Sequence, residues 1–216
     1  MRTSKKCGCK TPALDRYLEK LPITPKNLSG KIVLELGAVN LGADGMYFAE
    51  EATIHCRTKV FCVDKNFNGV VSHYADLTEM VRSHNTSIPR LDALKICLKR
   101  SVWALAQELP FRDNIFDILI SHFAIPMVLD SLQDIVNSLR NAIRVLKPGG
   151  AAYLYPLIPL RHSPYCEIDQ KRVYRALQML TREKGIKITL LPCREDDPIG
   201  SGLKIPTQLL IIQKTR

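Results

Sequence analysis

From Lys31 onward, short apolar runs alternate with amphipathic segments, and this alternation restricts the fold more than any other feature. "KIVLEL", "KVFCVD", "SVWALA", "FDILISHF", "AAYLYPL", "IKITLLP" and "TQLLIIQ" read as strands. "DGMYFAEEATIHC", "DSLQDIVNSLRNAIRVL" and "EIDQKRVYRALQMLTREKG" have helical spacing; "KPGG" stops the second and Gly185 ends the third. Parallel strands need crossovers of about a dozen residues or more, and helical or long segments of that length join the first five strands. The expected fold class is α/β, a doubly wound, largely parallel seven-stranded sheet. Its last two strands should form an antiparallel hairpin, because "CREDDPIGSGLKIP" between them carries proline and glycine without a helical period.

The 216 residues, 46% of them hydrophobic, suffice for one substantial core. We expect a basic lead-in over residues 1–29 and one domain over residues 30–216. Within the lead-in, residues 1–10 read as disordered, and "PALDRYLEKLP" reads as a short helix outside the core, with Leu14, Leu18 and Leu21 on one face. No apolar run approaches the roughly 18 residues of a membrane span, and no signal-peptide core is visible, so a cytoplasmic protein without membrane association is expected. The seven cysteines are odd in number and several lie in apolar runs, which suits reduced thiols. Cys7-x-Cys9 lacks a second ligand pair, and no metal site is expected. The net charge is +10, and residues 1–31 hold a surplus of six positive charges. That lead-in is read either as a solvated basic segment or as a non-specific polyanion binder.

The first strand ends in "ELGAVNLGADG", a turn leading into a helix. Such turns in open α/β sheets bind ligands at the carboxyl ends of strands. "GAVNLGAD" has the glycine spacing of a phosphate-binding loop, but Ala43 and Asp44 stand where Lys and Ser/Thr would meet phosphate and magnesium. As a dinucleotide fingerprint it places Val39 where the backbone must approach a pyrophosphate. A nucleoside without phosphates asks less. Glu35 sits beside the turn, and Asp64, ending the second strand, can accept hydrogen bonds from two ribose hydroxyls or cap the following helix.

"ELPFRDNIFDILIS" and "LRNAIRVLKPGGAAYL", following "VLELGAVNLG" and "VFCVD" in that order, resemble class I S-adenosylmethionine-dependent methyltransferases, in the subgroup with L-P-F-x-D-x-x-F-D and R-V-L-K-P-G-G. The resemblance implies S-adenosylmethionine as cofactor. It implies a cofactor site formed by Glu35, Gly37, Ala38, Asp64, Lys65, Leu105, Ala106 and Ser121. The sequence departs from that pattern at Val39 and Leu41, which replace turn glycines. It departs again at Leu105, which replaces an adenine-contacting Asp, and at Asn141, which replaces an acid.

Methyl transfer from a sulfonium needs positioning and desolvation, with a base only where the acceptor loses a proton. His122, following the fourth strand, is the candidate catalytic base. His162, Tyr165 and Cys166 form a second candidate wall. The expected function is methyl transfer to a small-molecule acceptor in preference to RNA or protein. Its alternatives are a catalytically inactive methyltransferase-like binding or scaffold protein and an RNA methyltransferase.

Overall fold

The computed structural model describes residues 12–38, 40–65, 95–122, 124–126, 129, 131–157, 170–196 and 204–215. In chain order these give α1 (Pro12–Lys20), α2 (Pro25–Leu28), β1 (Ile32–Leu36), α3 (Asn40–Cys56), β2 (Lys59–Asp64), β3 (Ser101–Trp103), β4 (Phe116–His122), α4 (Leu132–Val145), β5 (Leu146–Tyr155), α5 (Gln170–Leu180), β6 (Ile186–Asp196) and β7 (Lys204–Lys214). One sheet of seven strands runs in the order β3-β2-β1-β4-β5-β7-β6. The β1–β5 pairings are parallel, while β7 pairs antiparallel with both β5 and β6. This is the doubly wound sheet and terminal hairpin expected from the strand spacing. The long ladder runs from Ile186 opposite Lys214 to Asp196 opposite Lys204, with Pro192 opposite Gln208 on the outermost strand.

Alternation along the strands sends side chains to two cores. Leu34, Leu36, Phe116, Leu119, Leu154 and Ile212 meet Ile135, Leu139 and Ala142 of α4 and Val173, Ala176 and Leu177 of α5. Val33, Val60, Cys62, Ile118, Ile120 and Tyr155 meet Phe48, Ala49 and Ala52 of α3 on the opposite face. The second core also contains Leu14, Tyr17, Leu21, Ile23 and Leu28. The lead-in helix expected outside the core therefore belongs to it. The apolar face was legible, but the α3 surface that covers it is far away in sequence.

Several boundaries differ from expectation. The strand expected over "SVWALA" stops at Trp103, where Ala104 and Leu105 leave the sheet. "KPGG" lies within β5, since α4 ends at Val145 and Leu146 already pairs with Phe116. A register shift between Phe116 and Ile118 absorbs this early entry. Asp117 fixes the junction: its Oδ2 accepts the Ile32 N–H at 2.9 Å and the Lys147 ammonium at 3.0 Å. Burial alone would raise this carboxyl, but these donors outweigh it and hold it below its usual value. Cys56, Cys62, Cys97 and Cys193 are free thiols. The expected disorder of residues 1–10, Cys7, Cys9, Val39, His162, Tyr165, Cys166 and the β6–β7 connection lie outside the described residues. Among the described residues no helix is long and apolar enough to cross a membrane.

Candidate functional site

The register places the chemistry-bearing side chains in two rows at the carboxyl edge of the parallel strands. Cys62, Glu35, Ile120 and Tyr153 are neighbours across β2, β1, β4 and β5. Two residues further along each strand, on the same face, come Asp64, Gly37, His122 and Tyr155. Gly37 continues the ladder through its N–H, which donates to the Val63 carbonyl at 2.8 Å. It adopts φ +85°, a left-handed conformation suited to glycine, so the outer row has a gap beside Asp64.

A cleft of about 190 Å³ opens at this edge, lined by Leu36, Gly37, Val63, Asp64, Lys65, Ala104, Leu105, Ala106, Gln107, Ala124, Ile125, Leu129 and Asp134. Five of the expected cofactor residues, Gly37, Asp64, Lys65, Leu105 and Ala106, are thereby brought together. Asp64 is only 5% exposed, so its carboxylate is presented from the end of β2 on a buried base. Trp103 is 58% exposed beside the cleft, and its indole N–H donates to the Lys65 carbonyl at 2.7 Å. That bond ties the chain leaving β2 to the chain leaving β3.

The segment forming the far wall is held by α4. Asn141 Nδ2 donates to the Gln107 carbonyl at 2.6 Å. Arg144 donates to the carbonyls of Leu109 at 2.8 Å and Phe111 at 2.7 Å, and to Asp113 Oδ1 at 2.9 Å. The "LPFRD" and "RVLKPGG" motifs thus meet through one guanidinium, whose five fixed donors suit several carbonyls at once. Ser131 caps α4, its hydroxyl accepting the Asp134 N–H at 3.0 Å, and this sets Asp134 in the cleft wall. Asn141, Arg144 and Asp134 were not among the expected site residues. Their partners lie about thirty residues or more upstream, or in a cleft that only folding forms.

The remaining expected residues lie beside the cleft. Ala38 is fully buried, and a Cβ placed on Gly45 of α3 would come within 2.6 Å of its Cα. Gly45 therefore permits the close approach of helix to turn, the role that the third glycine plays in a dinucleotide fingerprint. Ser121 is buried, and its hydroxyl accepts the Ile125 N–H at 2.9 Å, fixing the turn after β4. Glu35 is fully buried; its Oε1 accepts the Tyr17 hydroxyl at 2.8 Å, and its Oε2 has no hydrogen-bond partner among the described residues. Burial pushes its carboxyl well above the usual value, the Tyr17 hydrogen bond opposes that rise, and the neighbouring charge of Asp64 adds to it. The His122 ring lies 4.6 Å from that of Tyr17 and stacks at 5.6 Å on Tyr155. Tyr17 in turn stacks on Phe48 at 4.4 Å.

A family model described as a methyltransferase domain matches residues 70–154. Solved methyltransferase structures share the fold of the chain. The N-methyltransferase NodS from Bradyrhizobium japonicum has a TM-score of 0.56 at 12% identity, covering 94% of this chain and 96% of that one. NodS in complex with S-adenosylhomocysteine gives 0.51 at 12% identity, over 87% and 80% of the two chains. A Methanosarcina mazei S-adenosylmethionine-dependent methyltransferase gives 0.53 at 14% identity, over 86% and 92%. The [4+2]-cyclase SpnF has the same fold, with a TM-score of 0.53 at 15% identity, over 94% and 79%. Comparison of the sequence with curated proteins finds no significant match. The match to the methyltransferase domain begins beyond the glycine turn, so the divergent residues 37–45 lie outside it.

Proposed function

We propose that this methyltransferase domain binds S-adenosylmethionine across the Gly37 turn and the Asp64 cleft, and transfers its methyl group to a small-molecule acceptor. The observation that carries the reading is the buried Asp64 carboxylate lining a cleft beside the left-handed Gly37. The residues fit the cofactor: a carboxylate suits paired ribose hydroxyls, and Leu105, Ala106 and Gln107 offer an apolar wall with amide groups for a base edge. The cleft volume of about 190 Å³ falls below the roughly 300–1,000 Å³ of sites that engulf a drug-sized ligand. It therefore suits the nucleoside, with the remainder of the cofactor over the turn toward Glu35. Ala38 and Ser121 act from behind, Ala38 by seating α3 and Ser121 by fixing the β4 turn.

When bound, the cofactor supplies an electrophilic methyl group on a sulfonium. The protein's part is to hold the nucleoside through Asp64 and to keep the β4 end dry with Tyr17, His122 and Tyr155. His122 is the base where the acceptor loses a proton. A wall of stacked rings suits a small acceptor, and NodS, an N-methyltransferase of comparable extent, makes an amine nitrogen the first acceptor class to try.

Calorimetric titration with S-adenosylmethionine and S-adenosylhomocysteine tests the reading. The wild type should bind both, and Asp64→Ala should weaken each at least about tenfold, since a hydrogen bond to a charged group contributes about 1.5–3 kcal/mol. No heat at millimolar ligand would remove the cofactor reading. Unchanged binding by Asp64→Ala would remove the site assignment.

A further inference from the structure

We propose that Tyr17 is a positioning residue of the cofactor site: from α1 it holds the Glu35 carboxylate, so that ordering of α1 and binding of S-adenosylmethionine reinforce one another. This rests on the cofactor reading above. Glu35 is the fully buried carboxylate nearest the Gly37 turn in sequence, and Tyr17 satisfies one of its two oxygens. The other oxygen has no hydrogen-bond partner among the described residues. An unsatisfied buried acceptor is costly, and it invites a donor from a ligand.

The same tyrosine anchors α1. Its ring stacks on Phe48 of α3 and packs against His122 of β4, while the Leu14 N–H donates to Glu51 Oε2 at 2.7 Å near the start of the helix. A phenylalanine would keep both ring contacts. The hydroxyl therefore serves Glu35, and through it the turn. By donating to the carboxylate it favours the ionised form against the effect of burial. That form attracts the cationic end of S-adenosylmethionine. Coupling between two such events is reciprocal: what strengthens one must strengthen the other.

The test combines Tyr17→Phe with hydrogen exchange and calorimetry on the full chain. In the wild type, saturating S-adenosylhomocysteine should slow amide exchange across α1. In Tyr17→Phe the affinity should fall about tenfold, within the usual range of coupling, and the slowing in α1 should disappear. Unchanged affinity in the variant, or slowing in α1 that survives the substitution, overturns the proposal. So does wild-type α1 exchange indifferent to a ligand that calorimetry shows to be bound, a result that needs no variant to fold. Wild-type protein that binds no ligand at all instead overturns the cofactor reading.

Discussion

A carboxylate at zero exposure with one hydrogen bond among the described residues costs stability, and Glu35 is such a group. Its folded-state carboxyl is raised by burial from 4.5, so between that value and the folded value the native protein holds a proton that the unfolded chain has lost. Stability contributed by this site is thus fully present below the unfolded value and declines as pH rises toward the folded one. Glu35→Gln removes that decline and leaves an amide oxygen for Tyr17. We expect its melting temperature to match the wild type in acid and to exceed it near pH 7 by about 2–4 °C for each kcal/mol relieved, with weaker cofactor binding. A melting-temperature difference that does not change with pH would contradict this. Glu35 and Asp64 were legible as acids ending strands. Tyr17 was not, because an aromatic in a lead-in helix carries no sign of which distant carboxylate it will reach.

Helices and turns show a similar division. The period-two and helical patterns identified the strands and main helices, since each follows from local spacing. The close seat of α3 on the turn does not. Gly45 sat in view inside a helical stretch, and an isolated glycine there signals close packing, but Ala38 as its counterpart emerges only when the turn folds back. Two effects compete in Gly45→Ala. Helix propensity favours alanine by about 1 kcal/mol, while overpacking a tight contact costs about 1–3 kcal/mol. With a backbone atom at 2.6 Å the clash should win. We expect a net loss of stability in urea unfolding and reduced affinity for S-adenosylhomocysteine; a stabilised variant would show that the turn can yield.

For the whole molecule, the cofactor should act as a brace. Ligand at about a hundred times its Kd adds about 2.7 kcal/mol to the folded state. For a domain of this size that corresponds to a rise of about 5–10 °C in melting temperature, measurable by calorimetry or fluorescence. A saturated protein that melts at the same temperature as the free one would contradict it.

The order of the sheet also bears on how copies of this chain meet. Among the described residues its outer strands are β3, three residues long, and β6, which carries exposed Lys187 and Pro192. A short edge offers few backbone groups for another strand to grip, a proline offers no N–H at its position, and a lysine would need its charge desolvated. Edge-to-edge growth into fibrous stacks is discouraged at both ends, even though the strands between them are among the most apolar parts of the chain.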